Sequence, residues 1–195
     1  MNGDKPLTDE DLAELVKSGD ESAFTKLIER YRTLAFSLAY NMTGNIAEGE
    51  DISQEAFTIL YTKVGAFRGE SSFKTWFYRV VINLCRRHYR RSRIVRFTSL
   101  SFLTKEGEER EMDIKVESTP ENEASVNQAG ASIDSAVKKP SIKQREVFIL
   151  KHMKGLKISE IADVLGCSDG TVKTHLFRAV RALQQELKGV YDEMQ

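Results

Sequence analysis

Cysteine is scarce in this chain, with only two among 195 residues. Cys85 and Cys167 lie far apart, each within an apolar pattern, so no disulfide framework is readable. With His88, His152 and His175 they do not complete the ligand spacing of a metal centre. They read as free thiols suited to a reducing cytoplasm, and neither metal nor cofactor is expected. Long apolar runs are missing too: none approaches the roughly 20 residues that cross a bilayer. The N-terminus is polar and acidic, unlike a secretory leader. Membrane insertion is therefore not expected, and a cytoplasmic location is. Catalytic groupings are also lacking. No Gly-rich phosphate loop follows a strand, no Ser-His-Asp set is suggested, and no paired carboxylates stand where a pKa would be raised. Cys85 and His88 sit one turn apart, but a thiol–imidazole pair there reads as incidental. The chain is not read as an enzyme.

An excess of one charge is absent as well: 29 Lys and Arg balance 29 Asp and Glu. The balance hides segregation. Residues 1–67 carry 6 basic and 12 acidic side chains, and residues 68–103 carry 9 and 1. Residues 104–139 carry 5 and 9, and residues 140–190 carry 9 and 5. Two basic segments are thus divided by an acidic one. The local patches, not the total, bear on nucleic-acid binding.

Apart from the middle, the pattern is helical. Thr8 and Asp11 form a capping-box signature ahead of Leu12, Leu15 and Val16. Ala23, Phe24, Leu27, Ile28, Tyr31, Leu34, Ala35 and Leu38 recur at three and four residues until Gly44-Asn45. A third helix is expected from about Ile46 to Val64, with Glu48, Glu50, Asp51, Gln54 and Glu55 on its polar side. Ser71 or Ser72 can cap a fourth, running from Phe73 to about Arg93. Residues 96–127 then change character. Glu106, Glu108, Glu109, Glu111, Asp113, Glu117, Glu121 and Glu123 crowd there with Gly107 and Pro120. That composition reads as a flexible acidic linker and a domain boundary. Helices resume near Val126. Ser141 and Gln144 offer a second capping box after Pro140, with Ile142, Val147, Phe148 and Leu150 apolar. The expectation is an all-α chain: domains over 1–95 and 128–195, joined by the linker 96–127.

Residues 157–176 carry the clearest signal. Ile158, Ile161, Ala162 and Leu165 share a helical face, Gly166 stops that helix, and Ser168 caps the next. Val172 and Leu176 point inward. This is a helix-turn-helix, whose second helix enters the major groove. Lys173, Thr174, Phe177, Arg178 and Arg181 then lie outward, and the helix is expected to end before Gly189. An ordinary helical hairpin does not demand a small residue, a glycine and an inward valine at these spacings.

The fourth helix is the second signal. Aromatic and cationic residues interleave: Phe73, Lys74, Trp76, Arg79, Arg86, Arg87, Arg90, Arg91, Arg93 and Arg96. Unpaired bases stack on aromatics while cations track the backbone. Phe77, Val80, Val81 and Leu84 read as core. The arginine run, almost without counter-charge, reads as a phosphate contact. The acidic side of the third helix reads either as a solvated surface or as a docking face for a basic protein.

Together these elements resemble the extracytoplasmic-function (ECF) group of bacterial RNA polymerase sigma factors, from about Asp20 to Leu187. The passages are Ala23-Phe24 with the long helix to Tyr40, residues 47–57, residues 67–83, Gln144 to Phe148, and Lys157 to Arg181. The resemblance implies a chain that docks on the clamp of core RNA polymerase through Glu48, Asp51, Gln54 and Glu55. It implies capture of an unstacked non-template base at the −10 element, with Ser72, Phe73, Lys74, Trp76, Arg79, Asn83, Arg86, Arg87 and Arg90 as contacts. It implies −35 duplex read by Lys173, Thr174, Phe177, Arg178 and Arg181, a linker threading through the polymerase, and an anti-sigma factor as partner. Gly49 departs from expectation, since a better helix former such as Ala would suit that site; it should loosen the helix slightly. Two rivals stand beside this. A stand-alone LuxR-type regulator explains residues 140–188 but leaves the aromatic-basic helix idle and lacks a receiver's alternating strands. An enzyme acting on nucleic acid lacks its catalytic group.

Overall fold

Thr8 opens the first helix through reciprocal bonds. The computed structural model describes residues 6–101 and 140–193, with side chains over 6–92 and 140–185. Thr8 Oγ1 accepts from the Asp11 N–H at 3.1 Å, and Asp11 Oδ2 accepts from the Thr8 N–H at 2.9 Å. Helix α1 (Asp9–Lys17) follows. Asp20 caps α2 (Glu21–Thr43), which closes on Gly44 at φ 67°. Asn45 then caps α3 (Ile46–Lys63), accepting from the Glu48 N–H at 3.1 Å. A short 3₁₀ turn at Val64–Ala66 and a loop lead to α4 (Phe73–Ser101). Ser72 supplies the cap, its Oγ accepting from the Thr75 N–H at 3.1 Å.

Helix α4 runs further than its expected end near Arg93, because no Gly or Pro interrupts residues 73–101. It takes in residues 96–101 of the expected linker. The rest of that linker, and the resumption of helix near Val126, lie outside the described residues. Beyond them come α5 (Ile142–Phe148), a π-helical turn (Ile149–Met153), α6 (Ile158–Leu165) and α7 (Asp169–Glu193). The expected box at Ser141 does not form: Ser141 holds the N-cap position without a side-chain bond. Gly189 does not end α7 either. A single helical glycine costs only about 1 kcal/mol, less than the helix gains by continuing. The all-α expectation holds across the described residues.

The cores follow the apolar stripes. Leu12, Leu27, Leu38, Leu60, Phe73, Phe77 and Ile82 are buried among α1–α4, and Ile149, Leu150, Ile161 and Val172 among α5–α7. One continuous cluster of buried side chains joins both groups, with α4 packed against α3 on one side and α6 on another.

Gly49 is where the sequence reading misjudged a residue. It is buried against α2, and a Cβ placed there would lie 3.3 Å from the Tyr40 Cα and N. The glycine lets two helix backbones cross closely, so it tightens the bundle instead of loosening it. Gly49→Val should lower stability by about 1–3 kcal/mol, the usual cost of overpacking. A thermal melt at or above wild type would contradict that crossing.

Candidate nucleic-acid interface

The helix-turn-helix is built as its spacing demands. Gly166 adopts φ 66°, which a side-chain-bearing residue rarely tolerates. Ser168 Oγ accepts from the Thr171 N–H at 3.2 Å. At the start of α6, Glu160 reaches back to the Lys157 N–H at 2.6 Å. Ala162 and Val172 are buried where α6 and α7 cross, and Leu176 is half-buried. Lys173, Thr174, Phe177, Arg178 and Arg181 are all exposed on α7. Phe177 shows 67% of its surface to solvent, on the same face as the exposed Lys173, Arg178 and Arg181. The Thr174 hydroxyl donates to the Gly170 carbonyl at 2.9 Å, which restrains its rotamer.

Helix α4 carries a second surface. Ile59, Val80, Asn83, Leu84, Arg87 and Arg90 line an open groove of about 270 Å³ between α3 and α4. Its floor is aliphatic and its rim is an amide and two guanidiniums. A flat aromatic ring with an attached anion suits that combination. Trp76, half-buried, begins the same stripe. Its ring lies 5.6 Å from Phe73 and 5.9 Å from Phe67, so its pose is set by packing. Ser72 and Lys74 are exposed at the helix start, as are Asn83 and Arg90 further along.

Residues 27–95 match the model of Sigma-70 region 2, and residues 132–183 match that of Sigma-70, region 4. The ECF RNA polymerase sigma factor SigW of Bacillus subtilis is 32% identical, over 89% of this chain and 93% of its own. The chain belongs to the ECF group of RNA polymerase sigma factors. RNA polymerase sigma-H factor of Pseudomonas aeruginosa is 31% identical over 95% of this chain and 96% of its own. CnrH, solved with the cytosolic domain of CnrY, shares the fold: TM-score 0.66 at 24% identity, over 93% of this chain and 97% of that one. RpoE of Bartonella quintana, solved with the anti-sigma factor NepR, gives TM-score 0.62 at 22% identity, over 85% and 96%. This sigma factor binds core RNA polymerase and promoter DNA and directs initiation of transcription. The LuxR-type alternative is not favoured: it leaves the region 2 match unexplained. Among the described residues no helix is long and apolar enough to cross a membrane.

Several side chains of the sigma factor stand differently from their sequence reading. Phe73 is fully buried, ringed by Tyr31, Phe67, Trp76 and Phe77. It braces the helix start and has no face to offer a base in this arrangement. Arg79 is half-buried and donates from Nε to the Asp163 carbonyl at 2.9 Å. Arg86 pairs with Glu146, and Arg87 with Glu55. The arginine run therefore has counter-charges, supplied from distant sequence. His88 Nδ1 lies 3.6 Å from Glu48 Oε2, away from any thiol pairing. Cys85 is buried, and burial pushes its thiol up to about 12, helped by the charge of Glu146; it is chemically quiet. Arg93 and Arg96 lie outside the described side chains.

On α3, Asp51, Gln54 and Glu55 are exposed and Glu48 is half-buried. The acidic face is real, but Glu55 and Glu48 are shared with the basic helix through Arg87 and His88. The buried charges Arg145 and Glu146 were missed: nothing local in the sequence marks a charged residue for burial when its partner lies 60 positions away.

Proposed function

We propose that this sigma factor divides its work between residues 1–95 and 128–195, with 96–127 as tether. The first segment docks on a basic surface of core polymerase through Glu48, Asp51, Gln54 and Glu55. It holds one unstacked base of the −10 non-template strand against the α4 groove. Trp76 supplies a stacking edge, Asn83 an amide for a base edge, and Arg87, Arg90 and Lys74 the phosphate contacts. Ser72 orients the helix start, and Phe73 supports Trp76 from beneath. The second segment lays α7 in the −35 major groove, with Lys173, Thr174, Phe177, Arg178 and Arg181 outward. Two weak sites joined through the polymerase reinforce one another by effective concentration. The factor works in the cytoplasm and supplies recognition, not chemistry of its own. An anti-sigma factor belongs to this reading, since RpoE was solved with one.

The observation that carries it is the exposed face of α7, cationic with a bare phenyl ring. Arg178→Ala should cost about 1–3 kcal/mol at the −35 element and relax sequence preference there. Folding should hardly change, since the side chain is exposed. The measurement is run-off transcription with core polymerase on templates varied at −35. A variant that reads every −35 sequence as wild type does would place the reading face elsewhere.

A further inference from the structure

The loop that leads into α4 is tied at both ends by α1, a helix that the match to region 2 does not reach. Helix α1 ends at Lys17, and that match begins at residue 27. Its own place is fixed on α2. Asp9 accepts from Arg30 Nη1 at 2.7 Å and from the Tyr31 hydroxyl at 2.5 Å. Leu12, Ala13 and Val16 are buried on its inner side. Two longer side chains turn to the loop. Lys17 Nζ donates to the Phe67 carbonyl at 2.7 Å, and Glu10 Oε1 accepts from the Phe73 N–H at 2.9 Å.

Neither bond is local, for the partners lie 50 and 63 residues apart. The Phe73 N–H is one of the donors that a helix start leaves without an internal partner. Ser72 takes the Thr75 N–H, and a carboxylate from another helix takes this one. The Lys17 ammonium also lies 5.5 Å from the Phe67 ring centroid, so it holds carbonyl and ring together. Glu14 pairs with it at 2.6 Å and steadies it there. Both bonds carry a charged partner, which strengthens them, and both act on main chain.

The two residues so held are the ones on which Trp76 rests. Phe67 and Phe73 are buried and meet edge to face at 5.6 Å. Trp76 packs on both. Tyr31, bonded to Asp9, sets its ring edge on Phe73. We propose that Glu10 and Lys17 are positioning residues for −10 strand engagement: α1 braces both ends of the loop 67–73 and presets Trp76 and the start of α4 for an unpaired base. The inference rests on α4 being the −10 reader. Without the brace, the loop ends and Trp76 must be ordered as the strand binds, and that ordering is subtracted from affinity. With it, the groups that meet the base are locked beforehand by their support.

The test uses the full chain, free and in holoenzyme, with Glu10→Ala, Glu10→Gln, Lys17→Met and Lys17→Arg. Glutamine keeps an acceptor for the Phe73 N–H, and arginine keeps a donor for the Phe67 carbonyl. Trp76 is the only tryptophan, so emission from the free chain reports the loop directly. In Glu10→Ala and Lys17→Met it should move to longer wavelength and quench more readily with acrylamide. Their open-complex yield on promoter DNA should fall about tenfold, the worth of one hydrogen bond to a charged group, with core binding unchanged. Glu10→Gln and Lys17→Arg should restore both readings. Wild-type emission in Glu10→Ala and Lys17→Met overturns the brace, and needs no nucleic acid to do so. Shifted emission with wild-type opening overturns the positioning role. A lowered melt and lost opening that the conservative variants share overturn it too, leaving α1 as scaffold alone. If Glu10→Ala loses helicity by circular dichroism, Lys17→Met decides. Should wild-type holoenzyme fail to protect the −10 strand, the α4 reading falls, and emission still judges the brace.

Discussion

Asn83→Ala and Trp76→Ala should both reduce promoter opening, and a pre-melted bubble should separate them. Stacking an unpaired base on an aromatic is worth about 1–3 kcal/mol, while unstacking it from the duplex costs a few kcal/mol. The two are close, so losing either group should lower open-complex yield by about 5- to 150-fold. A bubble template removes the melting cost and should rescue Trp76→Ala. It should not rescue Asn83→Ala, whose loss is of base readout. Asn83 is exposed at the groove rim, so its truncation leaves the core intact. Trp76 packs on Phe67 and Phe73, so Trp76→Phe is the companion that keeps the aromatic floor. Permanganate reactivity and run-off yield on both templates provide the readout. Full opening by both variants would remove α4 as the −10 reader. A lowered melt in Trp76→Ala with an opening defect that the bubble does not relieve would make Trp76 core alone.

The helix-turn-helix was legible because its determinants are local. Gly166, Ser168, Ala162 and Val172 each answer to a neighbour within a few residues, and each stands as the spacing requires. The helix start at Thr8 was readable on the same ground; Asp20 and Asn45 read only as breaks, yet each caps the helix that follows. What escaped was non-local. Gly49 looked like a weak helix former because the strand of backbone it admits, at Tyr40, belongs to another helix. Arg86 and Arg87 looked unpaired because Glu146 and Glu55 lie 60 and 32 residues away. Burial of Glu146 inverts the ordinary preference of carboxylates for solvent, and only the packing of α5 against α4 reveals it. Phe73 was named as a −10 contact through the family resemblance, yet its aromatic surroundings claim all of its surface.

Charge reversal on α3 should have the other large effect. Asp51 is exposed and makes no ion pair among the described residues, so Asp51→Lys changes the proposed docking face and little else. Like charges brought together across an interface cost several kcal/mol. Binding of Asp51→Lys to core polymerase should therefore fall by more than about tenfold, with an unchanged thermal melt. Glu55→Lys differs, because Glu55 is paired with Arg87. Reversal there sets two cations together within the first segment, and it also frees Arg87 from its carboxylate. Its binding to core should fall as for Asp51→Lys, while its affinity for free single-stranded DNA should rise. An exposed pair is worth only about 0–1 kcal/mol, so folding should survive. Co-purification with core enzyme, alongside strand binding by the free protein, checks both. Undiminished recovery of Asp51→Lys with core would take the acidic face out of the docking surface. A Glu55→Lys chain with weaker strand binding would mean that Arg87 is not restrained by its carboxylate.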